Sequence, residues 1–219
     1  MTKKAPGIDG ITGGIYLRTF NTFPRLITAI YNQCQKRGCF PKKVEIAKII
    51  PIIKPGKEKS MDPFKYRSIS LLNMGGKVLE KLLISRINHH VYKHNLLTDR
   101  KFGFMSQKST TDAAMEAKKC IQPVLENGGL VIMTSLDVKG AFDAAWWPSI
   151  LQALKDLGCP RNLYNLSKEY FSHRTAVMFT NSVSIKRRIT KGCPQGSFCR
   201  PGFWNLLYNS LLKLELTSN

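Results

Sequence analysis

Residues 130–143 read Leu-Val-Ile-Met-Thr-Ser-Leu-Asp-Val-Lys-Gly-Ala-Phe-Asp. The first seven form a near-continuous apolar run, the pattern of a strand buried on both faces. The run ends directly on Asp137, where a sheet would hold the carboxylate rigidly at a cleft. A carboxylate buried there without a partner is costly, so a cation or metal is expected beside it. Asp143 lies six residues on, across a Gly-Ala-Phe turn, and can border the same cleft. Taken alone, the stretch suits a helix N-cap carboxylate as well as a metal ligand.

Downstream, Lys191-Gly192-Cys193-Pro194-Gln195-Gly196-Ser197 places two glycines around Pro-Gln just before a helical pattern. Such a backbone can approach a ligand closely, and Gln195 offers an amide that both donates and accepts. A plain connecting loop accounts for the bare pattern equally well.

Around these stretches the periodicity predicts an α+β chain with helices flanking a mixed sheet. Residues 1–20 are rich in glycine and poor in periodicity, with a turn at Pro6-Gly7-Ile8-Asp9-Gly10. A helix is expected from Phe23 to Lys36, where Leu26, Ile27, Ile30 and Tyr31 recur at helical spacing before Gly38. Residues 46–53 read as a strand, which Pro51 makes an edge or a bent one. Helices fit 74–94, 110–126 (N-cap Ser109 or Thr110), 146–157, 160–172 and 201–216, the last with Pro201 in its first turn. Residues 175–180 and 184–189 read as a hairpin turning at Asn181-Ser182.

Composition narrows the function. The 219 residues carry 34 Lys plus Arg against 14 Asp plus Glu, a net charge of +20. That balance disfavours an ordinary small-molecule enzyme and favours nucleic acid or an anionic membrane surface. No apolar run approaches the ~18 residues of a membrane span, and the basic start has no apolar stretch behind it. An intracellular protein, in nucleus or cytoplasm and not secreted, is expected. The six cysteines form no Cys-x2-Cys pair, and the four histidines complete no zinc site. We expect reduced thiols in passive core positions, with no disulfide framework. His89 and His90 read as exposed helix residues, and Trp146 and Trp147 as core and partial surface cover.

The two stretches in this order, together with several others, resemble the reverse transcriptases of non-LTR retrotransposons. Lys4-Ala5-Pro6-Gly7-Ile8-Asp9-Gly10 looks like the family's first motif. Lys54-Pro55-Gly56-Lys57, Tyr66-Arg67-Ser68-Ile69-Ser70-Leu71-Leu72 and Gly76-Lys77-Val78-Leu79-Glu80-Lys81 resemble its fingers region. Phe102-Gly103-Phe104 with Ser109-Thr110-Thr111-Asp112-Ala113 resembles the segment before the first catalytic strand. Gly192–Ser197, Pro201 and Phe203-Trp204-Asn205 resemble the loop and helix that close on the nucleotide, in a form similar to arthropod R1- and jockey-like elements.

The resemblance implies a right-hand polymerase fold, with a fingers-like region over 1–128 and a partial palm over 129–219. It implies extension of a DNA primer on an RNA template from deoxynucleoside triphosphates, with Mg²⁺ as cofactor. Asp137 would be the catalytic metal ligand and the Val138 backbone carbonyl a further one. Phe142 would floor the sugar pocket and exclude a 2′-hydroxyl. Arg67 would grip the triphosphate, and Gln195 with Gly196 would lie against the incoming nucleotide. Asp143 is expected to cap or brace. Lys54, Lys57, Lys59, Lys186, Arg187 and Arg188 would touch phosphates or simply solvate their segments.

Three residues depart from the family pattern: Ser68 stands for a proline, Met105 for an arginine and Arg200 for a small residue. The sequence also contains no Asp-Asp pair, whereas the family completes its metal site with an aromatic-x-Asp-Asp hairpin. The expectation is therefore a polymerase fragment, inactive by itself. The alternatives are a non-catalytic nucleic-acid-binding relic of such an element and an intron-maturase-type reverse transcriptase.

Overall fold

Local signals govern most helices of the computed structural model, which describes residues 5–56, 62–180 and 183–213. Helix α1 (Gly13–Thr22) starts at Thr12, whose hydroxyl accepts from the Ile15 N–H. Helix α2 (Pro24–Arg37) has proline in its first turn and stops at Gly38. Strand β1 (Ile46–Ile53) and strand β2 (Tyr66–Leu71) precede the long helix α3 (Met74–Lys93), which Asn73 caps. Helix α4 (Thr110–Glu126) opens on a reciprocal capping box between Ser109 and Asp112. A single turn, α5 (Ala141–Ala144), leads to α6 (Trp147–Asp156) and α7 (Arg161–Phe171). Strands β3 (Thr175–Phe179) and β4 (Ser184–Arg188) form the expected hairpin, and α8 (Arg200–Leu212) follows. The expected turn at Asn181-Ser182, and positions 214–216 of the expected last helix, lie outside the described residues.

The sheet runs β2-β1-β3-β4, antiparallel between β2 and β1, parallel between β1 and β3, and antiparallel between β3 and β4. It is thus a mixed sheet, with two strands from each side of residue 128. The proline reading of β1 holds for half of the strand. Ile46–Lys48 pair with β3, and Lys48 with β2 as well, whereas Pro51 lies beyond the pairing with β3 and faces only Ser68 of β2. A residue without an N–H is tolerated where one flank carries no ladder.

The core lies on the helical side. Leu79, Leu83 and Ile87 of α3 meet Ile150 and Leu154 of α6, Leu166 of α7 and Phe203 of α8. The aromatic centre is tight: Phe171 stacks on Trp147 at 5.1 Å and sits 4.9 Å from Phe203, and Tyr170 meets Phe40 edge-on at 5.4 Å. No helix among the described residues is long and apolar enough to cross a membrane.

The structure corrects several expectations. The strand expected over residues 130–136 does not form, and its apolar side chains are open: Leu130 is 94 % exposed, Ile132 92 % and Leu136 87 %. A strand exists only with a hydrogen-bonding neighbour. The four strands present pair with one another, and the run finds no ladder among the described residues. Helix α1 was not expected within the glycine-rich start, nor β2 within its motif. The cysteines divide: Cys34, Cys193 and Cys199 are buried, whereas Cys39 and Cys120 are exposed. His90 is half-buried, and its imidazole meets the Leu157 carbonyl at 3.0 Å.

Candidate active site

The loop after β4 is strung between α5 and β2. On one side, Cys193 N–H donates to the Phe142 carbonyl and Gly192 N–H to the Ala145 carbonyl, both at 2.7 Å. The Trp147 indole N–H adds a bond to the Gly192 carbonyl at 2.8 Å. On the other side, Ser70 N–H of β2 donates to the Gln195 carbonyl at 2.8 Å, and Gln195 bridges Ile69. Both glycines of the motif are forced by this path. A Cβ on Gly192 (φ 92°) would lie 2.9 Å from the Asp143 carbonyl oxygen, and one on Gly196 (φ 100°) 3.2 Å from that of Ser70. Gly192→Ala is therefore expected to cost about 1–3 kcal/mol, read as a lowered urea midpoint.

Between this loop and β2 opens a cleft of about 210 Å³, lined by Ser68, Ser70, Asp143, Lys191 and Gln195 among others. The Ser70 hydroxyl is buried there with no hydrogen-bond partner among the described residues. Alternation along β2 turns Ser68 and Ser70 to one face, and Arg67 and Ile69 to the other. Arg67 itself is exposed, opposite Ile52 in the β1 register.

Phe142 is enclosed by aromatic and cationic neighbours. Phe104 meets it edge-on at 5.7 Å, Trp204 of α8 tilts against it at 5.3 Å, and the Arg200 guanidinium lies 4.1 Å from the ring centroid. All three departures from the family pattern thus fall at this site. Ser68 lines the cleft, Arg200 covers Phe142 as a cation–π partner, and Met105 Sδ lies 3.8 Å from the Asn205 amide, which also bonds the Phe104 carbonyl at 2.8 Å.

Other expected residues are more scattered. Asp137 is exposed within the unpaired segment, and the Val138 carbonyl accepts from the Ala141 N–H at 3.2 Å in a turn. Asp143 lines the cleft and is exposed. Lys54 donates to the Phe64 carbonyl at 2.7 Å, which ties down the end of β1. Arg187 and Arg188 lie on the exposed edge strand β4, where charge also discourages edge-to-edge pairing. Lys57 and Lys59 lie outside the described residues. Burial pushes the Cys193 thiol up to about 12, so it is a packing group rather than a nucleophile.

Sequence reasoning missed one feature of the site: a buried ionic cluster around Glu80 of α3 and Arg174, which precedes β3. The available signal was spacing, since Glu80 shares the helical stripe of Gly76, Leu83, Ile84 and Ile87.

A family model for reverse transcriptase (RNA-dependent DNA polymerase) matches residues 52–217. The chain is 31% identical over 212 residues to a putative 115 kDa protein in the type-1 retrotransposable element R1DM of Drosophila melanogaster, covering 97% of this chain and 20% of that one. It is 32% identical over 209 residues to the RNA-directed DNA polymerase from mobile element jockey of Drosophila funebris, covering 93% and 22% respectively. The probable RNA-directed DNA polymerase from transposon BS of Drosophila melanogaster is 32% identical over 212 residues, covering 94% and 22%. The chain thus spans about a fifth of the length of the curated relatives it matches. With the family model over most of its length and R1- and jockey-type relatives along nearly all of it, the chain belongs to the reverse transcriptase family, as a reverse transcriptase domain of the non-LTR retrotransposon class.

Proposed function

We propose that this domain binds an RNA template and DNA primer and positions a deoxynucleoside triphosphate for transfer onto the primer 3′-hydroxyl. One observation carries the reading. The Gly192–Gly196 loop is pinned at once to the Phe142 carbonyl and to β2, the strand that bears Arg67. The three groups assigned to the nucleotide therefore sit on elements tied directly together. Arg67 offers a planar, permanently charged fork for the triphosphate. Phe142 presents a ring held from several sides as the floor under the sugar, and Gln195 with Gly196 supplies the wall. Residues 1–128 serve as fingers and 129–219 as part of a palm, the two sharing one sheet. Lys54, Lys57, Lys59, Arg187 and Arg188 contact template or primer phosphates without reading sequence. The RNA template puts this work in nucleus or cytoplasm.

Members of this family generally use a divalent metal, and Mg²⁺ is the ion we assign to Asp137 and the Val138 carbonyl. Such an ion would neutralise charge developing on the transferred phosphoryl group. Among the described residues, however, no group of three His, Cys, Asp or Glu side chains gathers to hold a metal. Asp137 and Val138 by themselves fall short of a complete site. A second reading, a nucleic-acid-binding remnant without chemistry, rests on the net charge of +20, which serves binding whether or not chemistry follows.

Primer extension by the full open reading frame separates the two. Asp137→Asn is expected to lower extension at least about 100-fold while primer–template affinity and its salt slope hold. Extension that survives the substitution removes Asp137 from the chemistry. A full-length protein that binds but never extends leaves only the remnant reading.

A further inference from the structure

Glu80 is fully buried, and its carboxylate is served from three directions. Oε1 accepts from the Tyr170 hydroxyl of α7 at 2.7 Å and from the Ser197 hydroxyl at 2.8 Å, and Oε2 accepts from the Phe198 N–H at 3.2 Å. The guanidinium of Arg174, 1 % exposed, stands 3.9 Å away and lies over the Tyr170 ring at 4.2 Å. Its Nε, Nη1 and Nη2 find no hydrogen-bond partner among the described residues, so it acts here as charge rather than as a donor fork. A buried ion pair is a poor way to add stability, because apolar side chains of the same volume often do as well or better. A satisfied polar network does select one arrangement among several, because each alternative strands a polar group.

The arrangement selected is that of the loop. Ser197 and Phe198 directly follow Gln195-Gly196, and the Gln195 carbonyl itself accepts from the Ser70 N–H of β2. Strand β2 runs into α3 through only Leu72 and Asn73. The element carrying Arg67 and the element carrying Glu80 are thus consecutive, and both hold the loop. We infer that Glu80 is a positioning residue: through Ser197 and Phe198 it sets the height of Gln195-Gly196 relative to Arg67, and so the affinity for the incoming nucleotide. The inference rests on the nucleotide-site reading above, but its mechanical half stands apart from it.

The test uses the 219-residue chain with Ser197→Ala, which removes one of the two bonds from the loop to the Glu80 carboxylate and leaves the ion pair in place. Two quantities are measured well below the unfolding midpoint: amide hydrogen exchange across 192–199, and equilibrium dialysis of labelled dATP with primer–template present. Exchange in the loop is expected to quicken, and dATP affinity to fall, each by roughly tenfold. Ser197→Thr, which keeps a hydroxyl, restores both. Leu154→Ala, a fully buried core position of α6 away from the loop, lowers stability but moves neither. Unchanged loop exchange in Ser197→Ala overturns the inference. So does a loosened loop with unaltered dATP affinity, which leaves the reverse transcriptase reading intact. Wild-type chain that binds no dATP on primer–template overturns the nucleotide assignment itself, and the inference with it.

Discussion

Glu80→Ala lowers the unfolding free energy by about 3–5 kcal/mol, the usual cost of breaking a buried ion pair from one side. The loss has two sources. Arg174 keeps its charge inside the protein over the Tyr170 ring, and among the described residues no hydrogen bond relieves its nitrogens. The Tyr170 and Ser197 hydroxyls keep their mutual contact at 3.0 Å but lose their anionic acceptor. Urea unfolding checks this directly, as a fall in midpoint at constant slope. The double substitution Glu80→Leu with Arg174→Met should recover most of the loss, because neither charge is then stranded. A single substitution that costs under about 1 kcal/mol would mean that Arg174 is reached by water when Glu80 is gone.

Phe203→Ala is the second large effect, also about 3–5 kcal/mol, and its origin is packing alone. The ring is 1 % exposed and sits 4.9 Å from Phe171 and 5.7 Å from Tyr170, at the joint between α7 and α8. Removing it opens a cavity among side chains that are themselves locked by Trp147 and Phe40. The consequence reaches the site, because α8 also carries Arg200 and Trp204 against Phe142. Thermal unfolding should show the loss, and Phe203→Leu, which keeps most of the volume, should show about half of it or less. A cost near zero would place α8 outside the cooperative core.

How much of this was legible beforehand depends on the range of the interaction. Helices α2, α3, α4, α6, α7 and α8 carry their own signals: the Ser109–Asp112 box, proline in the first turns of α2, α6 and α8, and apolar residues at helical spacing. Strand β1 and the β3–β4 hairpin were legible for the same reason. Helix α1 was not, because its glycines weaken the pattern and its contacts lie elsewhere: Tyr16 bonds the Tyr31 hydroxyl of α2, which in turn donates to the Gly75 carbonyl of α3 at 3.1 Å.

The candidate site shows the same division. The residue types of the loop marked Gln195 and Gly196, while Phe142 and Arg67 were marked through the family resemblance of their stretches. Nothing in those stretches says that Ser68 and Ser70 face the cleft while Arg67 faces away, or that Arg200 covers the Phe142 ring. The Glu80–Arg174 pair joins residues on α3 and before β3 that no motif connects.

The family, the basic surface and the helix boundaries were thus determined by the amino-acid sequence itself, since composition, capping and periodicity act between residues a few positions apart. Whether residues 130–136 become a strand was decided only by the tertiary structure. An apolar run is necessary for a buried strand, but a ladder also needs a neighbour brought alongside, and among the described residues the run pairs with no strand of the β2-β1-β3-β4 sheet. Tertiary structure likewise decided that a lone helical glutamate should meet a distant arginine, because burial prices charge by its surroundings and not by its place in the chain.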